Sequence, residues 1–209
     1  MKSYVLVLEP EIKLFNKISN IKKECFDLVG HQLYLEDPPH TTLLVGNFKD
    51  FNQWQEALSD FVNNLRQREY DLSFEIKEWE IFQGDKITKK DTLTCSLIEP
   101  SGQLQALEEK IVYFMIQFRE KELIRRYQKA NASLNEEAQN NLNKYGFPYV
   151  GKFWKPHIGI ASFNQKSFKV IWNKYKQKCP QGIFRFTKLV IYELDQDTEK
   201  LKLVTKYNL

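Results

Sequence analysis

The spacing of apolar residues along this chain switches repeatedly between a period of two and a period near 3.6, the signatures of strands and helices. Residues 4–8 (YVLVL) form a short apolar run. Beyond Pro10, the positions Ile12, Phe15, Ile18, Cys25 and Val29 recur at helical spacing as far as Gly30, a residue suited to ending a helix. The pair Pro38-Pro39 opens a second extended run at residues 40–46, rich in threonine, leucine and valine. Phe51, Trp54, Leu58, Phe61 and Leu65 then mark one face of an amphipathic helix, and residues 72–82 alternate as a half-buried strand does. The first half therefore predicts β-α-β-α-β.

The second half predicts the same order: a strand at 92–98, a helix from Leu104 to about Tyr127, a strand at 157–162, a helix marked by Phe168, Ile171, Trp172 and Tyr175, and a closing hairpin of 183–194 with 201–207. Local sequence repeats as well. Val7-Leu8-Glu9-Pro10 has a counterpart in Leu97-Ile98-Glu99-Pro100, and Pro39-His40 in Pro156-His157. From the first proline to the second is 29 residues in one half (10 to 39) and 56 in the other (100 to 156), a difference of 27. The expected fold is a single α+β domain of two duplicated units, about 1–90 and 91–209, with an insertion at about 127–153. That insertion reads either as a lid or, if residues 134–142 are helical, as a surface decoration.

Composition narrows the class. With 209 residues, 42% of them hydrophobic and 28% charged, the chain can build a sizeable core and is not disordered. The N-terminal apolar run is cut short by Glu9 and Pro10, too brief for a signal segment or a membrane span, so a cytoplasmic monomer is expected. Cys25, Cys95 and Cys179 are far apart and lack metal-ligand spacing, which reads as reduced core thiols. A net charge of +4 fits a polyanionic partner and a positively biased groove without requiring either.

The candidate chemistry lies in the two histidine strands. Side chains at i and i+2 of a strand share a face, so His40 projects with Thr42, and His157 with Gly159. If the two units pack about an approximate twofold axis, the imidazoles meet across one groove. Two imidazoles suffice for acid–base cleavage of a phosphodiester, one neutral and accepting a proton, the other protonated and donating one. The scheme demands neither metal nor cofactor.

With its PHTTLLVG segment at 39–46, PHIGIAS at 156–162, the TLTCSLIEP strand and the closing LVIYELDQDTEKLKLV hairpin, the chain resembles the two-histidine phosphoesterases, also called the 2′-5′ RNA ligase-like superfamily, over nearly its whole length. The resemblance implies two lobes, each with an antiparallel-rich sheet, around a central cleft with helices outside. It implies action on nucleotide or RNA phosphodiesters, among them 2′,3′-cyclic phosphates and 2′-5′ linkages, with RNA ligation as a related activity. His40-Thr41-Thr42 matches the HxT pattern, which assigns His40 to catalysis and Thr42 to phosphate binding. His157-Ile158-Gly159 keeps the second catalytic histidine but puts glycine at the second phosphate-binding position, a loss that by analogy with other oxyanion donors costs on the order of 10²-fold in rate. A binding module that kept the cleft and lost turnover is the alternative reading.

Tyr149, Lys152, Phe153, Trp154 and Lys155 lead into the second histidine strand and mix cations with aromatics, as base-stacking and phosphate-holding surfaces do; burial of Phe153 and Trp154 in the core is the competing reading. His31 reads as a helix-end or surface residue, Glu9 and Glu99 as turn formers, and the run Arg119, Lys121, Arg125, Arg126, Lys129 as a solvated face.

Overall fold

The computed structural model describes residues 2–68 and 70–209. Its elements run β1 (Lys2–Pro10), α1 (Ile12–Val29), β2 (Thr41–Phe48), α2 (Gln55–Arg66), β3 (Ser73–Phe82), β4 (Asp91–Ile98), α3 (Gln103–Met115), α4 (Arg125–Ala130), α5 (Glu136–Tyr145), β5 (His157–Phe163), α6 (Gln165–Tyr175), β6 (Gly182–Leu194) and β7 (Leu201–Asn208). The fold is α+β, as expected.

The strands form one continuous antiparallel sheet in the order β2-β1-β6-β3-β4-β5, with β7 on the far part of β6. The long strand β6 joins the two halves. Its first residues pair with β3 (Ser73 opposite Arg185), and from Phe186 onward it pairs with β1 on one side, then with β7 on the other. Strand β1 is buried on both faces from Ser3 to Pro10, which is why it reads as a continuous apolar run rather than an alternation. Trp54 is fully buried against it, edge-on to Tyr4 at 5.3 Å, with its indole N–H donating to the Lys49 carbonyl at 2.9 Å.

Three expectations need correction. The buried face of α1 is Leu14, Ile18, Ile21, Lys22 and Cys25, whereas Ile12 is 70% exposed. The helix beginning near Leu104 ends at Met115 and not near Tyr127. After a 3-10 turn the chain extends at Arg119 and bridges Phe48, while the Lys49 N–H donates to the Phe118 carbonyl and the Glu120 N–H to that of Asn47. Those backbone bonds cover the free edge of β2, and they outweigh continuation of the helix. Glu9 is no turn former: it is buried within β1 and ion-paired to Lys188 at 2.7 Å and Lys206 at 2.8 Å. Glu99 does sit at a helix start, accepting from Ser101 and from the Gln103 N–H.

Between α3 and β5 the chain forms two helices. Asn135 caps α5 by accepting from the Ala138 N–H at 2.8 Å, and Gly146 ends it at φ +78°. Among the described residues no helix is long and apolar enough to cross a membrane. Cys25 and Cys95 are buried thiols, while Cys179 is half-buried.

Candidate active site

A cavity of about 610 Å³ opens where β2 and β5 begin, and both His40 and His157 line it. The two rings are held alike. The Nδ1–H of His40 donates to the carbonyl of Pro38 at 2.7 Å, and that of His157 to the carbonyl of Lys155 at 2.8 Å, each two residues back. A carbonyl only accepts, so each neutral ring is the Nδ1–H tautomer with the Nε2 lone pair left for a ligand. The sequence accounts for this: each proline before a histidine holds the preceding residue extended, so that carbonyl i−2 can meet the ring.

The strand starts are joined directly. Thr41 Oγ1 donates to the His157 carbonyl at 3.0 Å, and the Trp154 indole N–H donates to the Thr42 carbonyl at 2.8 Å. Phe82, at the end of β3, meets the His157 ring edge-to-face at 4.9 Å and fixes its plane. Both histidines are half-buried in the cleft wall, and burial lowers both pKa values. His40 falls to about 4, with the charges of Lys22 and His157 adding to the effect of burial and the Pro38 carbonyl opposing it. His157 is lowered by burial against the pull of the Lys155 carbonyl and of Glu80.

Of the other residues singled out from the sequence, Thr42, Gly159, Tyr149, Phe153, Trp154 and Lys155 line the same cavity. Trp154 is nonetheless buried and committed to Thr42, so it braces the wall rather than offering a stacking face. Burial pushes the Tyr149 hydroxyl up to about 12. Lys155 pairs with Glu80 and lies 5.8 Å from the Phe82 ring centroid. Lys152 is not in the cleft. It lies in a separate depression, paired with Glu137 at 2.6 Å and over the Phe153 ring. Gly159 has an ordinary backbone, and a Cβ built on it meets nothing within 4 Å, so the site has room for the missing hydroxyl. His31 is exposed and faces Glu36 at 3.0 Å.

Two lining residues escaped the sequence reading. Arg126 is no solvated charge: it lines the cavity, donating from Nη1 to Glu199 at 2.6 Å and from Nη2 to the Tyr127 hydroxyl at 3.3 Å. Lys22 is 5% exposed and donates to the carbonyls of Tyr34 at 2.7 Å and Asp37 at 2.9 Å. Its signal was a lysine four residues after Ile18, inside the apolar stripe of a helix. The groove is also less biased than expected, with Lys22, Lys86, Arg126 and Lys155 set against Asp37, Asp85 and Glu199. Among the described residues no three His, Cys, Asp or Glu side chains cluster as a metal site would require.

No protein-family model matches the chain, and no curated protein matches it by sequence. Solved structures do match over its whole length. TT0787 of Thermus thermophilus superposes with a TM-score of 0.52 at 16% identity, covering 100% of this chain and 98% of that one. The crystal structure of a phosphoesterase gives 0.50 at 11% identity, covering 100% and 98%. LigT from E. coli in apo form gives 0.49 at 13% identity, covering 99% and 96%. At these identities the likeness concerns architecture alone: the chain shares the fold of TT0787 and of that phosphoesterase, the α+β architecture expected from its sequence.

Proposed function

We propose that this chain is a phosphodiesterase acting on nucleotide or RNA phosphodiesters, a 2′,3′-cyclic phosphate or a 2′-5′ linkage, with His40 and His157 as its acid–base pair. The observation that carries the reading is the matched pair of imidazoles. Each is locked by its Nδ1–H to a carbonyl, and each lines the same cavity. For a cyclic phosphate, the neutral imidazole accepts a proton from water through Nε2 as the water oxygen bonds to phosphorus. The P–O bond to one ribose oxygen breaks, and that oxygen takes a proton from the second, protonated imidazole. The product is a phosphomonoester beside a free hydroxyl, and the two histidines exchange protonation states. Thr42 donates to a non-bridging oxygen as negative charge redistributes.

Hydrolysis of nucleoside 2′,3′-cyclic phosphates in the presence of chelator tests the reading. Turnover lost by at least about 10³-fold in both His40→Ala and His157→Ala is the expected result. Undiminished turnover in either variant removes it. Gly159 favours a second reading, a nucleotide-binding module that has lost turnover. Micromolar binding without cleavage across a nucleotide panel would select that reading.

A further inference from the structure

The cleft contains a buried cation that no carboxylate touches. Among the described residues no carboxylate lies within 4 Å of the Lys22 ammonium, whose two contacts are backbone carbonyls. An ammonium removed from water without an anionic partner is costly, and its third N–H is left to donate. Burial lowers its pKa to about 8 even with the charge of Asp37 pulling the other way.

Arg126 lies along the same wall. Its Nε is buried and without a partner among the described residues, and its Nη1 reaches towards the Tyr34 hydroxyl at 3.5 Å. The two residues that face it, Tyr34 and Glu199, are non-glycines held at φ +67° and +57°. Left-handed backbone at such residues is strained, and here it brings two loops onto one guanidinium. This part of the cavity holds two carboxylates, Glu199 paired to Arg126 and Asp37, whose charge reaches both cations without touching the Lys22 ammonium; the other groups turned to it, the Lys22 ammonium, the Arg126 guanidinium and the Tyr34 and Tyr127 hydroxyls, can all donate. A donor-rich set of this kind matches an acceptor-only group such as phosphate better than a nucleobase edge, which alternates donors with acceptors.

We propose that Lys22 and Arg126 form a second anion subsite in the cleft, so that the substrate carries a phosphate group besides the phosphodiester held by the histidines. This rests on the phosphodiesterase reading for what the histidines hold, and the two are separable by experiment. Calorimetry on the full chain compares adenosine 3′-monophosphate with adenosine 3′,5′-bisphosphate. The bisphosphate binds about tenfold tighter or better, and Arg126→Gln and Lys22→Met each bring the ratio towards one. Glu199→Gln keeps a hydrogen-bond partner for Arg126 and removes the competing carboxylate, so it raises the ratio; this variant also serves if loss of either cation impairs folding. Equal affinity for the two ligands in the wild type overturns the subsite. So do equal losses for both ligands in the variants, because Lys22 and Arg126 would then hold the reacting phosphate itself. Turnover of adenosine 2′,3′-cyclic phosphate in the same preparations separates the readings. Turnover without a bisphosphate preference removes the subsite alone, and a preference without turnover supports the subsite and removes the phosphodiesterase.

Discussion

The hydroxyl of Thr41 donates to the backbone carbonyl of His157 at 3.0 Å, so the residue after one histidine holds the main chain of the other. This bond spans 116 positions in sequence and ties the start of β2 to the start of β5. It gives the middle residue of the HTT motif a task distinct from that of Thr42.

Replacing Thr41 with valine keeps the shape and leaves the His157 carbonyl without its donor. The expected loss of stability is about 1–3 kcal/mol. Because the two rings lose their common tie, kcat should fall more than KM rises, and Thr41→Ser should restore most of both. Urea unfolding together with steady-state kinetics checks this; a stability loss with unchanged kcat would make the bond structural only.

Gly159 tolerates a side chain, since a Cβ there meets no atom within 4 Å and its backbone is not left-handed. Gly159→Ser or Gly159→Thr should therefore fold with stability close to wild type and add a donor on the His157 side of the cleft. Turnover of a cyclic phosphate should rise by on the order of 10-fold or more. A fall in activity with the fold intact would mean that substrate occupies the space left by the glycine.

Burial lowers the pKa of His40 to about 4 and also lowers that of His157. In the free protein both limbs of the bell in kcat/KM should then lie below 6.5, with an optimum on the acid side of neutrality. The stability linkage has the same origin. The unfolded chain takes up the His40 proton near 6.5 and the folded chain only near 4. The contribution is therefore complete above about 6.5 and is lost progressively as pH falls towards about 4. His40→Asn should flatten this part of the stability–pH curve, whereas an unchanged slope would contradict the assignment.

Glu108 is a fully buried carboxyl on α3 whose oxygens accept the Gly151 N–H at 3.2 and 3.3 Å, bracing the turn before β5. Burial raises its pKa to about 8, against the pull of that N–H. The stability it contributes is complete below about 4.5 and is lost as pH rises through about 8. Glu108→Gln keeps the acceptor without the charge, so its melting temperature relative to wild type should climb between about pH 5 and 9. A constant difference across that range would refute the account.

Much of the site was legible because it is local in sequence. A proline before each histidine and a short strand after it fix the two histidines and their i+2 neighbours within a few residues, whereas the tautomer came only with the carbonyl bonds of the folded chain. The order of strands and helices was legible for the same reason. What escaped depends on distant partners. Helix α3 stops at Met115 because the next residues bond to the edge of β2, about 70 positions away, and no helical periodicity records that. Lys22 and Arg126 look like surface charges until the loops carrying Tyr34 and Glu199 fold onto them. The phase of α1 was misread because Ile12 is apolar yet faces solvent, while Lys22 is charged yet faces inward. Lys152 and Lys155 are three positions apart and differ only in which side of the wall they reach.

The most direct measurement of the central claim follows the imidazoles themselves. The chain has 3 histidines, so the ring nitrogens of His31, His40 and His157 can be resolved in a ¹⁵N-labelled sample titrated with adenosine 3′-monophosphate. The Nε2 signals of His40 and His157 should move together with a single dissociation constant while those of His31 stay still. Movement of only one of the pair, or two different constants, would mean that the rings do not share a phosphate.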